Sequence, residues 1–302
     1  MADQTPDPDF FVKSQQFTKT THRDVYPAIT PTNPNLSQAG KVIIITGASQ
    51  GLGAKSFAHS FAATGPKAIV LVARNAKKLD EVAAELTAQF PSVETLNVPT
   101  DIADPASVAA LFEKVKSKYG HADVLVNNAG VFSAIAPIKD IEPKAWWDEM
   151  TINIYGTFLT THSFLAALPP SAPARIITLT TGAAYEVFPA LSSYGLSKLA
   201  AFQLMTYVAA ENPNVVAVAV HPGIVPTDML KESFAPFAKD TPALVGGVAT
   251  WAASWEERDW LSGRYVSANW DVEDLLARKE EIVEKGLLKM DLKGEFGAGL
   301  FK

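Results

Sequence analysis

Tyr194 and Lys198, in the run Tyr194-Gly195-Leu196-Ser197-Lys198, are spaced to fall on one face of a helical turn. A phenol with a pKa of about 10 exchanges protons poorly near neutral pH, and an adjacent ammonium stabilises its phenolate. Lowering that pKa to near 7 takes roughly 4 kcal/mol of differential stabilisation. Thr181 ends a β-branched run upstream and adds a hydroxyl that can donate a hydrogen bond. The pair alone is weak evidence, so its position along the chain has to carry the argument.

A second constellation is Thr46-Gly47-Ala48-Ser49-Gln50-Gly51-Leu52-Gly53, directly after a short apolar run. Glycines there allow a sharp turn and a close approach of the backbone to a pyrophosphate, which the free N–H groups of a following helix then hold. The spacing is Gly-x-x-x-Gly-x-Gly rather than the commoner Gly-x-Gly-x-x-Gly. The same residues spell Gly47-x-Ser49-x-Gly51, a hydrolase nucleophile elbow. That reading needs an acid and a late histidine, and the only histidine after His162 is His221, just before Pro222. A dinucleotide cradle is the better reading.

Positioning such groups requires regular elements. Short β-branched runs near Val42–Thr46, Ala68–Ala73, Glu94–Val98, Val124–Asn127, Arg175–Thr180, Val215–Val220 and Arg264–Ser267 read as strands. Between them lie helical patterns, among them Asn75–Gln89, Pro105–Tyr119, Pro143–Leu168 and Leu191–Glu211. Strands apolar on both faces and separated by helices predict an α/β protein with a doubly wound, Rossmann-type parallel sheet. The expected division is an extended N-terminal arm (1–40), a single dinucleotide-binding catalytic domain (41–268) and a helical tail (269–302). The arm carries five prolines, and Phe10, Phe11, Phe17 and Tyr26 could anchor it on the body or on a second subunit.

Composition narrows the classes. The chain has 302 residues, 48% of them apolar and 19% charged, enough to bury a sizeable core. Its unbroken apolar runs reach six residues, against about 20 needed to span a bilayer. A net charge of −6 without Lys/Arg blocks argues against nucleic acid as the main partner. With no cysteine and five scattered histidines, no metal site is expected. The first 30 residues lack a signal-peptide pattern, and the C-terminal Gly-Leu-Phe-Lys matches no familiar address, so a cytoplasmic location is expected.

Taken in order, these motifs resemble the short-chain dehydrogenase/reductase family over about residues 40–268. Thr46–Gly53 looks like its glycine motif, and Asp101-Ile102 like its adenine-contacting pair. Asn127-Asn128-Ala129-Gly130 is similar to its Asn-Asn-Ala-Gly segment, and Asn153 falls at its catalytic asparagine. Tyr194 and Lys198 match its Tyr-x-x-x-Lys pair. Pro222-Gly223, with Val225 and Thr227 beyond, matches the segment flanking the nicotinamide.

The resemblance implies roles. Tyr194 is the general acid/base, Lys198 binds the nicotinamide ribose and depresses the Tyr194 pKa, and Asn153 holds a relay water through its helix. Asn127 is as well read as a strand brace as a ligand contact. Thr181 departs from the usual serine, and the methyl crowds the site. The usual C-terminal glycine pair is replaced by Gly263-Arg264-Tyr265-Val266-Ser267-Ala268-Asn269-Trp270-Asp271. A charged tail and a proline-bearing leader are similar to those of fungal members. Tyr185, Phe188 and Met229–Phe237 should border the substrate cleft, suggesting a bulky, largely apolar carbonyl or alcohol.

Coenzyme choice follows from the second strand. Counting about 20 residues from Gly53 reaches Ala73, where a carboxylate would otherwise hold a ribose 2′-OH. Arg74 and Asn75 follow instead, and a guanidinium suits a 2′-phosphate, so NADP(H) is expected over NAD(H). The expected activity is an NADP(H)-dependent interconversion of a carbonyl and a secondary alcohol. Alternatives are a non-redox cyclase, dehydratase or epimerase on the same fold, or a cofactor-binding regulator. Apolar faces on the two long helices suggest a homodimer or homotetramer.

Overall fold

Runs of β-branched residues that are apolar at every position are satisfied only between two covered faces. In the computed structural model, which describes residues 6–294 and 296, the chain forms seven strands. They are β1 (Val42–Thr46), β2 (Ala68–Ala73), β3 (Glu94–Pro99), β4 (Val124–Asn127), β5 (Ala174–Leu179), β6 (Val215–His221) and β7 (Arg264–Ser267). They form one parallel sheet in the order β3-β2-β1-β4-β5-β6-β7. Strand addition reverses between β1 and β4, which leaves a crevice at their carboxyl ends. The edge strand β3 is only partly buried, whereas β1, β4, β5, β6 and β7 are buried throughout.

The helices are α1 (Phe10–Ser14), α2 (His59–Ala63), α3 (Ala76–Gln89), α4 (Pro105–Tyr119), α5 (Pro143–Met150), α6 (Gly156–Ala167), α7 (Ser192–Glu211), α8 (Pro242–Ala252), α9 (Val272–Ala277) and α10 (Lys279–Glu284). Their starts are signalled locally. Asn75, Asp104, Glu142 and Thr241 each accept a hydrogen bond from a first-turn amide, and the last three are followed by proline. Helix α2 packs on α8, while α4, α6 and α7 pack together. Phe57, Phe61, Phe164 and Phe202 are among the largest fully buried side chains.

Two expectations need correction. The pattern read as one helix over Pro143–Leu168 is interrupted by π-helical turns at Thr151–Tyr155, which separate α5 from α6. Such an insertion rotates the side chains that follow it and often marks a functional site. Strand β5 begins and ends one residue earlier than its β-branched run, leaving Thr180 and Thr181 in the turn beyond it.

Residues 6–40 are not loose. Ile29 and Leu36 are fully buried, Thr21 pairs with Trp270 in an antiparallel bridge, and His22 meets Asp271 at 2.7 Å while stacking on Tyr26. The Tyr26 hydroxyl accepts from Val272 N at 2.8 Å, so this segment and the start of the tail brace one another. Residues 1–5, 295 and 297–302 of the expected arm and tail, including the C-terminal Gly-Leu-Phe-Lys, lie outside the described residues. No helix among the described residues is long and apolar enough to cross a membrane.

Candidate active site

The turn after β1 is built by Gly47, at φ +67°, where a Cβ would strike the Asn128 side chain and the Ala129 backbone. The adjoining backbone is locked by Thr46, whose buried hydroxyl donates to Val126 O and accepts from Asn128 N and Ala129 N. Asn128 Nδ2 returns a bond to Thr46 O at 2.8 Å. Thr46 is therefore a brace beneath the turn and does not line the crevice. Gly53 lies below it too, packed on the Gly47 carbonyl. Asn127 braces β4 from within: Nδ2 donates to Thr161 and Thr178, and Oδ1 accepts from Thr160. Of its two readings, the structural one holds.

A crevice of about 820 Å³ runs over this turn. Its lining includes Gly47, Ser49, Gln50, Gly51 and Leu52 at the glycine turn, and Arg74 and Asn75 after β2. Asp101 and Ile102 follow β3, and Asn128, Ala129 and Gly130 follow β4. Tyr194, Lys198, Pro222 and Thr227 close its far end. Several lining residues escaped sequence reasoning, among them Thr100, Ile152, Asp228 and one cation. Lys78, in the first turn of α3, donates from Nζ to Gln50 Oε1 at 2.9 Å and so joins the rim beside Arg74. Its place in the first turn of α3, right after Asn75, brings it there, a signal available only once the helix start is known.

A smaller cavity of about 170 Å³ adjoins the crevice. Thr181, Gly223 and Val225 line this cavity, as do Phe188 and Met229, Leu230, Lys231 and Phe234. Tyr185 does not; its ring stands against Tyr265 in an edge-on contact. Phe11 and Gln15 of the N-terminal segment also line it, which sequence reasoning missed. Tyr194 lines both spaces.

Around Tyr194 the electrostatics differ from the sequence expectation. Burial, with the Glu149 carboxylate adding to it, pushes the Tyr194 phenol upward rather than down. The Lys198 ammonium donates to Leu179 O at 2.9 Å, and its Nζ lies 6.0 Å from the Tyr194 ring centre. Burial pushes Lys198 down to about 8, with Glu149 pulling the other way.

Glu149 was not among the sequence candidates. It is 1% exposed, accepts from Ser133 N, Ala134 N and Ser193 Oγ, and is the charged neighbour of both catalytic candidates. The Thr181 hydroxyl accepts from Ala183 N at 3.4 Å. Asn153, fully buried in the π-helical turn, does not line the crevice. It bonds Val131 through both amide atoms and donates to Ser197 Oγ, tying the loop after β4 to α7.

The glycine cradle at a switch point, with donors and cations at both ends, fits a dinucleotide, and the site defines a Rossmann-type oxidoreductase. A family profile described as short chain dehydrogenase matches residues 41–236. The chain belongs to the short-chain dehydrogenase/reductase family, whose fold implies a nicotinamide cofactor. It is 38% identical over 286 residues to the short chain dehydrogenase pigC of Monascus ruber, covering 90% of this chain and 92% of that one. It is 35% identical over 289 residues to the short chain dehydrogenase andI of Emericella variicolor, covering 92% and 97%. Among solved structures, L-sorbose reductase from Gluconobacter frateurii, complexed with NADPH and L-sorbose, superposes with a TM-score of 0.70. That likeness covers 77% of this chain and 96% of the other at 24% identity, and shows the fold.

Proposed function

We propose that the protein is an NADP(H)-dependent reductase/dehydrogenase interconverting a carbonyl and a secondary alcohol on a bulky, largely apolar small molecule. The observation that carries this reading is the position of Tyr194, which lines both the dinucleotide crevice and the smaller, largely apolar cavity. A nicotinamide coenzyme bound in the crevice supplies or accepts the hydride. Tyr194 then gives the carbonyl oxygen its proton in reduction and removes it in oxidation. Thr181 donates a hydrogen bond that orients the same oxygen. Lys198 holds the ribose through its ammonium, and Asn153 keeps α7 in register with the loop after β4.

The NADP(H) preference rests on the rim. Between Gly47 and Lys78 the crevice lining holds two cations, Arg74 and Lys78, and no carboxylate. The 2′-phosphate of the bound coenzyme would sit against both. The solved L-sorbose reductase, of like fold, holds NADPH.

A homodimer or homotetramer is proposed from the exposed apolar residues on the long helices. Tyr155 and Phe158 stack in the open on one, and Leu196 and Tyr207 stand out from the other. Light scattering at micromolar concentration checks this, and a monomeric mass overturns it.

The test of the activity is consumption of reduced coenzyme against a carbonyl panel, with Tyr194→Phe as the control. The variant should lose turnover by about a thousandfold or more while coenzyme affinity stays within a few-fold. Product formed without coenzyme oxidation would move the protein to the non-redox alternative.

A further inference from the structure

We propose that Phe11, in the N-terminal segment, is a specificity-determining wall of the substrate cavity, and that the cavity selects flat aromatic ketones and alcohols over small aliphatic ones. The inference rests on the carbonyl/alcohol reading for the chemistry, and on separate observations for the wall.

The wall is made by distant parts of the chain. Phe11 on α1 lies 4.8 Å from Phe237, 5.9 Å from Phe234 and 6.0 Å from Phe188, measured between ring centres. Phe132, whose ring lies 4.4 Å from that of Tyr194, joins Phe11, Phe188 and Phe234 in the lining. Four phenyl rings thus surround a space that also reaches Thr181 and Tyr194. Aromatic faces and edges favour another flat ring by contact geometry as well as by area, which a short aliphatic ketone cannot exploit.

The segment is held in place from both ends. Gln15 Nε2 donates to Glu186 Oε2 at 3.2 Å, and Gln15 O accepts from Trp270 Nε1 at 2.8 Å. Gly182, next to Thr181, leaves room for the Gln15 amide that any Cβ would remove. Arg23 reaches back to Pro8 O and to Asp9, the residue before α1, each at 2.8 Å. Yet no residue of α1 is itself buried. A segment docked for stability alone would sink its rings into the core, as Ile29 and Leu36 do further along. Phe11 instead leaves its ring at the cavity.

Two ketones of different size, acetylnaphthalene and butanone, test the inference in wild type, Phe11→Ala and Phe11→Leu, with unfolding midpoints recorded for each. Phe11→Ala should raise KM for acetylnaphthalene by about tenfold, with kcat within about twofold and a much smaller KM change for butanone. Phe11→Leu should fall between. Equal KM changes for both ketones, or none for acetylnaphthalene, overturn the wall.

Binding of acetylnaphthalene to the coenzyme complex of Tyr194→Phe, and of Tyr194→Phe combined with Phe11→Ala, needs no turnover. Phe11-dependent binding without coenzyme consumption by wild type would uphold the wall and sink the carbonyl-reduction reading. Turnover with a Phe11-independent KM would do the reverse, and absence of binding would overturn the wall.

Discussion

The Arg23 guanidinium meets the Asp240 carboxylate at 2.9 Å, joining the N-terminal segment to the turn that follows β6. Asp240 is 2% exposed. Its Oδ1 also accepts from Asn269 Nδ2 at 2.7 Å, and its Oδ2 from Ile224 N at 2.6 Å. One buried carboxylate therefore fixes the segment beneath α1 and the Pro222-Gly223-Ile224 turn together. Burial pushes the Asp240 carboxyl up, against the pull of the Ile224 amide and Arg23.

Removing the cation should be costly. Arg23→Ala leaves Asp240 charged and buried with only neutral donors, a loss of about 3 kcal/mol by the cost of breaking a buried pair. Asp240→Asn, which removes the charge itself, should cost less than Arg23→Ala. Urea unfolding of the two variants and of the double variant measures this. A loss under about 1 kcal/mol for Arg23→Ala would show that the pair does not tether the segment.

Glu149 should set the pH dependence of catalysis. Its charge raises Tyr194 and also raises Lys198. Glu149→Gln removes a negative charge, so both groups lose protons at lower pH. In the oxidation direction, activity increases as Tyr194 ionises, and the rising limb of kcat/KM should shift to lower pH in Glu149→Gln. An unmoved limb would exclude Glu149 from the electrostatics of the site.

Arg74 and Lys78 should divide the coenzyme preference. A charge-assisted contact of roughly 1.5–3 kcal/mol corresponds to about a 10- to 150-fold effect on NADPH affinity. Arg74→Ala should lose most of that, Lys78→Ala a smaller part, and NADH affinity should stay nearly constant in both. Titration of each variant with both coenzymes decides it. Equal efficiency of wild type with NADH and NADPH would end the NADP(H) assignment.

His221 should make the fold sensitive to acid. Burial holds its pKa down to about 4, and its Nδ1 has no hydrogen-bond partner. Above about pH 6.5 the imidazole is neutral in both states and costs nothing. As pH falls from 6.5 to 4 the unfolded chain binds a proton that the native state refuses, so stability falls through that window and levels off below it. The loss reaches about 3 kcal/mol. The stability difference between wild type and His221→Asn, followed by urea unfolding from pH 7.5 to pH 4.5, should change by roughly 2.5 kcal/mol across that range. Parallel curves would place the acid sensitivity elsewhere.

The strands were legible locally. Runs such as Val42–Thr46 and Val215–Val220 are too short and too uniformly apolar for anything but buried strands, and the observed bounds differ from them by at most one residue. The same holds for the glycine turn, which answers to backbone sterics at Gly47, and for Tyr194 and Lys198, placed one helical turn apart by their spacing. What escaped depends on contacts between residues far apart in the chain. Phe11 and Gln15 reach the cavity of Thr181, about 170 residues on, because Arg23, Asp240 and Trp270 hold them there.

Tertiary structure alone also placed Glu149 beside Tyr194, through the serines and amides that bury it, and added burial and a negative charge that both push the phenol upward. It broke the long helix at Thr151–Tyr155, where Asn153 bonds Val131 in the loop after β4. Periodicity reports which face of an element is apolar. It carries no record of which distant carboxylate, carbonyl or ring that face will meet, and those partners set the charge and shape of the site.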